Sequence, residues 1–187
     1  VRALYNNVEW LELHGTLDTA ALQAAFGMLV ERHESLRTAY VDADGEPRQR
    51  ILPTLDFMLQ VEDCADDAQA RVQYMLREER HRHFDLANGE LLHVRLLCQT
   101  PQLHHLVINM HHIACDGWSM GILVRELPEC YQQALAVKLS SPASAEDYPH
   151  IDYALLPSPA GGRRAGDEGD RKRSGLDKLP HPRPLSR

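Results

Sequence analysis

His111-His112-Ile113-Ala114-Cys115-Asp116-Gly117 is the stretch on which the reading of this chain turns, because it gathers a base, a carboxylate and a tight turn within seven residues. An apolar run through Leu106, Val107, Ile108 and Met110 precedes it and reads as a β-strand ending at the two histidines. Side chains alternate along a strand, so His111 and His112 are expected on opposite faces, one packed inward and one toward a cleft. Beyond the Asp116-Gly117 turn, Ile122, Val124, Leu127 and Tyr131 fall at helical spacing over residues 118–131. The order is strand, loop, helix. Histidine suits such a loop because its ordinary pKa lies near neutrality, so it takes up and returns a proton during a reaction. Asp116 fits better as an anchor for the loop, paired with an arginine. In a chain with 11 histidines an isolated His-His pair would read as one core and one surface residue. The strand before this pair and the Asp-Gly turn and helix after it favour a site.

Outward from that stretch the pattern alternates between strands and helices. Val8, Trp10, Leu11 and Leu13 suggest a first strand, closed by a turn at His14-Gly15. Asp18 is placed to cap a helix whose Leu22, Phe26, Leu29 and Val30 share one face. A strand over 37–41 leads to the hairpin signal Asp42-Ala43-Asp44-Gly45, a returning strand over 48–51 and a further strand over 57–61. Ala68, Val72, Met75, Leu76 and Glu79 mark an amphipathic helix over 65–83. Strands over 92–99 and 103–110 then pair across Thr100-Pro101-Gln102 and deliver the histidines. The expected fold is α+β or layered α/β: a mixed sheet with helices packed on it.

Length and composition bound the function. The chain has 187 residues and 43% hydrophobic residues, enough for one domain with a core and an appendage. No apolar run approaches the roughly 18 residues of a membrane span, and no signal peptide is evident. Cys64, Cys98, Cys115 and Cys130 show no metal-like pairing and read as thiols of a reducing cytoplasm. Cys115 lies inside the motif, but the histidine is the better-placed reactive group. His104, His105, His111 and His112 do not have metal-ligand spacing, and His81, His83 and His93 do not complete a set, so no metal is expected. The net charge of −7 divides into −11 for residues 1–154 and +4 for residues 155–187. An acidic body argues against nucleic acid as a partner. In residues 155–187, Arg, Gly, Pro and Ala make up 18 of 33 residues, which predicts a disordered basic tail. Those four residue types belong to GC-only codons, so the tail reads either as a native linker or as GC-rich DNA translated in a shifted frame.

The stretch from Met110 to Ser119, Met-His-His-Ile-Ala-Cys-Asp-Gly-Trp-Ser, resembles the active-site motif of the condensation domains of nonribosomal peptide synthetases. Looser forms of it occur in chloramphenicol acetyltransferase and dihydrolipoamide acyltransferases. Arg32-His33-Glu34-Ser35-Leu36-Arg37-Thr38-Ala39-Tyr40 resembles a second condensation-domain motif, and Phe84-Asp85-Leu86 is similar to a third segment. Tyr148-Pro149-His150-Ile151-Asp152-Tyr153-Ala154 resembles the start of a fourth, whose Trp is missing from the Leu155-Leu156-Pro157 that follows. The resemblance thus covers about residues 3–154 and implies one N-terminal, chloramphenicol acetyltransferase-like lobe, residues 1–154, followed by the tail.

The resemblance also implies a reaction: amide formation between acyl and aminoacyl thioesters held on the phosphopantetheine arms of donor and acceptor peptidyl carrier proteins. His112 would be catalytic, as general base or as stabiliser of the charged intermediate. His111 would be structural, Asp116 would pair with Arg32 or Arg37, and Gly117 would let the backbone approach the pantetheine arm. Trp118-Ser119-Met120 resembles the ending of the subtype that joins L-configured donors to L-configured acceptors. No cofactor bound by the chain itself, no nucleic acid and no membrane is implied. With one lobe the cleft would be open, so the isolated chain is expected to condense poorly unless a second lobe or a homodimer supplies the other wall. The alternatives are a noncatalytic remnant or carrier-protein-binding lobe and, third, a coenzyme A-dependent acyltransferase.

Overall fold

The computed structural model describes residues 5–64, 67–139 and 152–155. In chain order these form β1 (Asn6–His14), α1 (Thr19–Arg32), β2 (Thr38–Ala43), β3 (Glu46–Ile51) and β4 (Gln60–Asp63). There follow α2 (Ala68–Arg80), β5 (Leu92–Thr100), β6 (Leu103–His111), α3 (Gly117–Leu139) and β7 (Asp152–Leu155). Five strands make one sheet in the order β4-β5-β6-β1-β7, with β2 and β3 as a separate hairpin. The sheet is mixed: β4 runs parallel to β5, and the other pairs are antiparallel.

Alternation along the strands explains the layers. Leu11, Leu13, Val94, Leu96, Leu106 and Ile108 face one side and pack with Leu22, Phe26 and Leu29 of α1 and Leu123 and Leu127 of α3. Val8, Trp10, Leu97 and Val107 face the other side against Val72, Met75 and Leu76 of α2. Each fully buried Leu or Phe in these layers contributes about 1.5–3 kcal/mol of transfer free energy. The two helices of the first face are tied at Asp18. Its carboxylate caps α1 by accepting from the Ala21 N–H at 2.9 Å, its own N–H donates to the Tyr131 hydroxyl at 3.0 Å, and Lys138 pairs with its second oxygen.

The α2 face carries a buried polar network. Glu79, 2% exposed, accepts from His93 Nδ1 at 3.0 Å and from Asn109 Nδ2 at 2.9 Å. Burial alone would raise its pKa, but these hydrogen bonds hold its carboxylate below the ordinary value. Beside it Arg95 donates to Glu78 at 2.8 Å and pairs with Glu62, which also pairs with Arg71, so β4, β5 and α2 are clasped together.

Several elements depart from their sequence-based limits. Asp44 and Gly45 have φ of 58° and 84°, which builds a two-residue turn of the mirror-image kind and starts β3 at Glu46, two residues earlier than expected. Phe57 is not in a strand: its ring stacks on Phe26 with centroids 5.2 Å apart, and β4 begins only at Gln60. The third helix runs on to Leu139 through Pro128, whose missing N–H leaves the Val124 carbonyl without its helical donor. Its buried stripe is Met120, Leu123, Leu127, Tyr131 and Leu135, with Ile122 and Val124 half-buried beside it. Leu155, assigned to the tail by composition, pairs in β7 with Leu11. The expectations for the tail from 156 onward, and for most of the Tyr148–Ala154 motif, lie outside the described residues.

Candidate functional site

Strand β6 ends at His111, and residues 112–114 form a turn that leads into α3. His112 is therefore separated from His111 by the turn rather than by strand alternation. Its backbone N–H donates to the Tyr5 carbonyl at 2.6 Å, which holds the start of the turn against the chain entering β1. The His111 ring is half-buried, edge-on to Phe84 at 5.9 Å and tilted against Tyr5 at 6.3 Å. Its Nδ1 accepts from the Ile113 N–H at 3.2 Å. Burial, and then the neighbouring His112, lower the His111 pKa, which favours the neutral ring of a packing residue.

The His112 side chain is exposed, and its Nδ1 lies 2.6 Å from the Cys115 carbonyl oxygen. A carbonyl only accepts, so Nδ1 carries the proton and the neutral ring presents Nε2 as a lone pair toward solvent. That is the protonation pattern of a general base. The acceptor carbonyl also receives Asn7 Nδ2 at 3.2 Å, and Tyr40 donates its hydroxyl to the Ile113 carbonyl at 3.4 Å. Cys115 itself is buried, and burial pushes its thiol up, away from the thiolate a nucleophile requires.

Asp116 does not meet an arginine. Its Oδ1 accepts from the Ser119 N–H and the Ser119 hydroxyl, both at 2.8 Å, and these bonds lower its pKa. It is the capping residue of α3. Arg32 instead donates to Glu126 at 3.1 Å, beside His33 at 2.9 Å from the same oxygen. Glu126 is ten residues further along the chain, about 15 Å down the helix, so this clamp joins the end of α1 to the flank of α3. Arg37 donates to the Leu52 carbonyl at 2.7 Å and lies 3.4 Å from Glu34, fixing the hairpin to the end of α1. The expected pairing of Asp116 with Arg32 or Arg37 is thus corrected: a local cap takes the carboxylate, and both arginines are committed elsewhere.

Gly117 begins α3, and a Cβ built there meets nothing within 4 Å among the described residues, so packing among them does not demand glycine. Around the loop the surface is apolar: Tyr5, Ile113 and Trp118 are exposed, Trp118 to 79%. Helices cover both faces of the sheet, so the exposed apolar surface at the site is this patch. A cavity of about 110 Å³ lies behind the loop among Leu36, Met110, Cys115, Ser119 and Leu123. A larger one of about 420 Å³ opens at the start of β5, between Phe57, Met58 and Phe84; residues 111–117 do not line it, so volume does not identify the histidine loop. Among the described residues no group of three or more His, Cys, Asp or Glu side chains has the arrangement of a metal site, and no helix is long and apolar enough to cross a membrane. His104 and His105 alternate to opposite sides of β6, with His105 bonded to Trp10 and Gln99.

The family model of the condensation domain matches residues 2–156, with the His112 loop inside the match. This chain belongs to the condensation domain family. Similar proteins include gramicidin S synthase 2 of Aneurinibacillus migulanus, 38% identical over 128 residues, which are 68% of this chain and 3% of the relative. Surfactin synthase subunit 2 of Bacillus subtilis strain 168 is 39% identical over 129 residues, 68% of this chain and 4% of that protein. Among solved structures, SgcC5 from Streptomyces globisporus is 31% identical with a TM-score of 0.64, covering 78% of this chain and 33% of that one. The starter condensation domain of rhizomide synthetase RzmA is 26% identical with a TM-score of 0.66, covering 73% and 35%. The condensation domain's sheet-and-helix layers are the chloramphenicol acetyltransferase-like fold. This chain spans a few per cent of the curated relatives and about a third of the solved structures.

The sequence pointed to the loop after β6, and missed the groups that hold it in the fold. Asn7 and Tyr40 are far from the loop in sequence, and only the pairing of β1 with β6, with Asn7 opposite Met110, and the fold of the hairpin bring them to it. Ser119 carried a local signal, a serine three residues after Asp116.

Proposed function

We propose that this chain supplies the histidine-bearing side of a site that forms an amide between two carrier-protein-bound thioesters in nonribosomal peptide synthesis. The observation that carries the reading is the exposed His112 ring with Nδ1 committed to the Cys115 carbonyl and Nε2 left as the base. The amine nitrogen of the acceptor attacks the thioester carbon of the donor. A C–N bond forms, the C–S bond breaks, and the pantetheine thiolate leaves. Nε2 of His112 takes the proton from the attacking nitrogen and returns it to the leaving sulfur. His111 packs the loop from beneath. Asp116 starts α3 immediately after the loop, and Gly117 leaves the backbone open to an approaching pantetheine arm, which explains a glycine that packing does not require. Both carriers are partners of the site. Its second wall comes from a second lobe or another copy of the chain, placed over Ile113 and Trp118. Four free cysteines suit a cytoplasmic protein.

The test joins this chain to the remainder of a condensing unit of gramicidin S synthase 2 and supplies a donor aminoacyl carrier with either an acceptor aminoacyl carrier or free coenzyme A. Dipeptidyl thioester on the acceptor carrier, seen by intact-protein mass, is the expected product. Acyl transfer to coenzyme A alone, or no product from a hybrid that matches the parental unit in stability, would overturn the proposal.

A further inference from the structure

We infer that Asn7 is a positioning residue for His112, acting through the carbonyl of Cys115. The inference deepens the reading of His112 as the base. Asn7 sits on β1 opposite Met110 of β6, two residues before His112. Alternation sends the two adjacent asparagines of β1 to different tasks. Asn6 donates to the carbonyls of Glu79 and Arg82, both at 2.9 Å, and fastens the end of α2. Asn7 turns to the loop, where its Nδ2 lies 3.2 Å from the Cys115 oxygen and 3.4 Å from the Cys115 sulfur.

The Cys115 oxygen is the atom that fixes the proton on His112. It accepts His112 Nδ1–H at 2.6 Å with one lone pair and the Asn7 amide with the other. Cys115 and Asp116 lie between the turn and the first residue of α3, outside any strand or helix. The peptide that carries this oxygen is held on one side by α3, where the Met120 N–H donates to the Asp116 carbonyl at 3.2 Å, and at its oxygen by side chains. Asn7 is the donor that comes from a rigid strand, in a sheet whose β1 and β6 pair along their whole length. Without it the oxygen has only the His112 bond, and the peptide is free to tilt away from Nδ1 about its anchor on α3. The ring then reverts to the Nε2–H tautomer that a free imidazole prefers, with the proton on the atom that must act as base. An asparagine suits this task because its carbonyl oxygen and amide stay neutral throughout catalysis, so the hold on Cys115 does not change as His112 gains and loses its proton.

The experiment reads the ring directly. Ring ¹⁵N spectra of the 187-residue chain, at a pH where His112 is neutral, are expected to show the Nδ1–H tautomer. Asn7→Ala, and Asn7→Asp, which keeps the shape but removes the donor, are expected to shift His112 to a majority of Nε2–H. Cys115→Ala, which removes the sulfur and keeps the carbonyl, is expected to retain the native tautomer. In the hybrid described above, Asn7→Asp should lower kcat about tenfold or more with little change in KM. Retention of Nδ1–H in both Asn7 variants, with the β1–β6 amides still protected from exchange, would overturn the inference. A tautomer shift in a hybrid that forms no amide supports the role of Asn7 and removes the base reading of His112, so the two failures are distinct.

Discussion

On the α2 side of the sheet, Glu79 receives His93 and Asn109 and is sealed from water; three residues beyond Asn109, on the same chain segment, His112 makes one side-chain bond among the described residues and faces solvent. Both regions are built from histidine, carboxylate and asparagine, and they use those groups in opposite ways. A buried carboxylate must find donors, because an unmet charge in the interior costs several kcal/mol. The Glu79 carboxylate therefore finds its donors inside the fold, while His93 Nε2, Arg95 Nε and Asn109 Oδ1 stay buried without a partner among the described residues. In the loop, among the described residues, the bonds stop one atom short: Nδ1 is occupied and Nε2 is not. Substitutions in the first region should cost stability, and those in the second should cost chemistry.

The largest effect on folding is expected from Glu79→Ala, which strands His93 and removes the side-chain acceptor of the Asn109 amide, leaving it only the residue 79 carbonyl at 2.8 Å. A loss of about 3–5 kcal/mol in urea unfolding is expected, and a loss below about 1 kcal/mol would erase the contrast between the regions. A second effect follows from the depressed pKa of Glu79. Its charged form stabilises the fold fully above the ordinary value of 4.5, and the contribution fades as pH falls below that toward the lower folded value. The urea midpoint should therefore fall on acidification below pH 4.5, with a shallower slope in Glu79→Gln; parallel slopes would show that Glu79 does not set the acid sensitivity. Smaller still is the cost of Asp116→Ala, which removes the cap at Ser119: a modest drop in melting temperature by calorimetry, with Asp116→Asn restoring most of it. If Asp116 were instead held by an arginine, Asn would not rescue. Smallest is His112→Ala, expected to change stability by less than about 0.5 kcal/mol, since its ring is exposed.

The parts of the molecule that the sequence made legible are those decided locally. Apolar alternation in β6, helical spacing after Asp116, the Asp18 cap and the Asp44-Gly45 turn all depend on neighbours within a few residues. Phe57 shows the limit: its run of residues reads as a strand, but stacking on Phe26 across the core takes the ring and delays β4 to Gln60. Asp116 shows another. Long-range pairing with an arginine competes with a cap three residues away, and the cap costs less chain entropy to form. The sequence also held the family resemblance, to which the match of the condensation-domain model over residues 2–156 corresponds. It did not hold Asn7, because the register of β1 against β6 had to be known before an asparagine at the start of the chain was seen to touch the loop.

The decisive measurement is the single-turnover rate of amide formation by the hybrid condensing unit, with both carriers loaded, compared with its His112→Ala variant at equal stability. General-base catalysis predicts a loss of about 10²–10⁴-fold in the rate with carrier binding unchanged. A variant that forms the dipeptidyl thioester within a few-fold of the parent rate would contradict the assignment of His112 as the base.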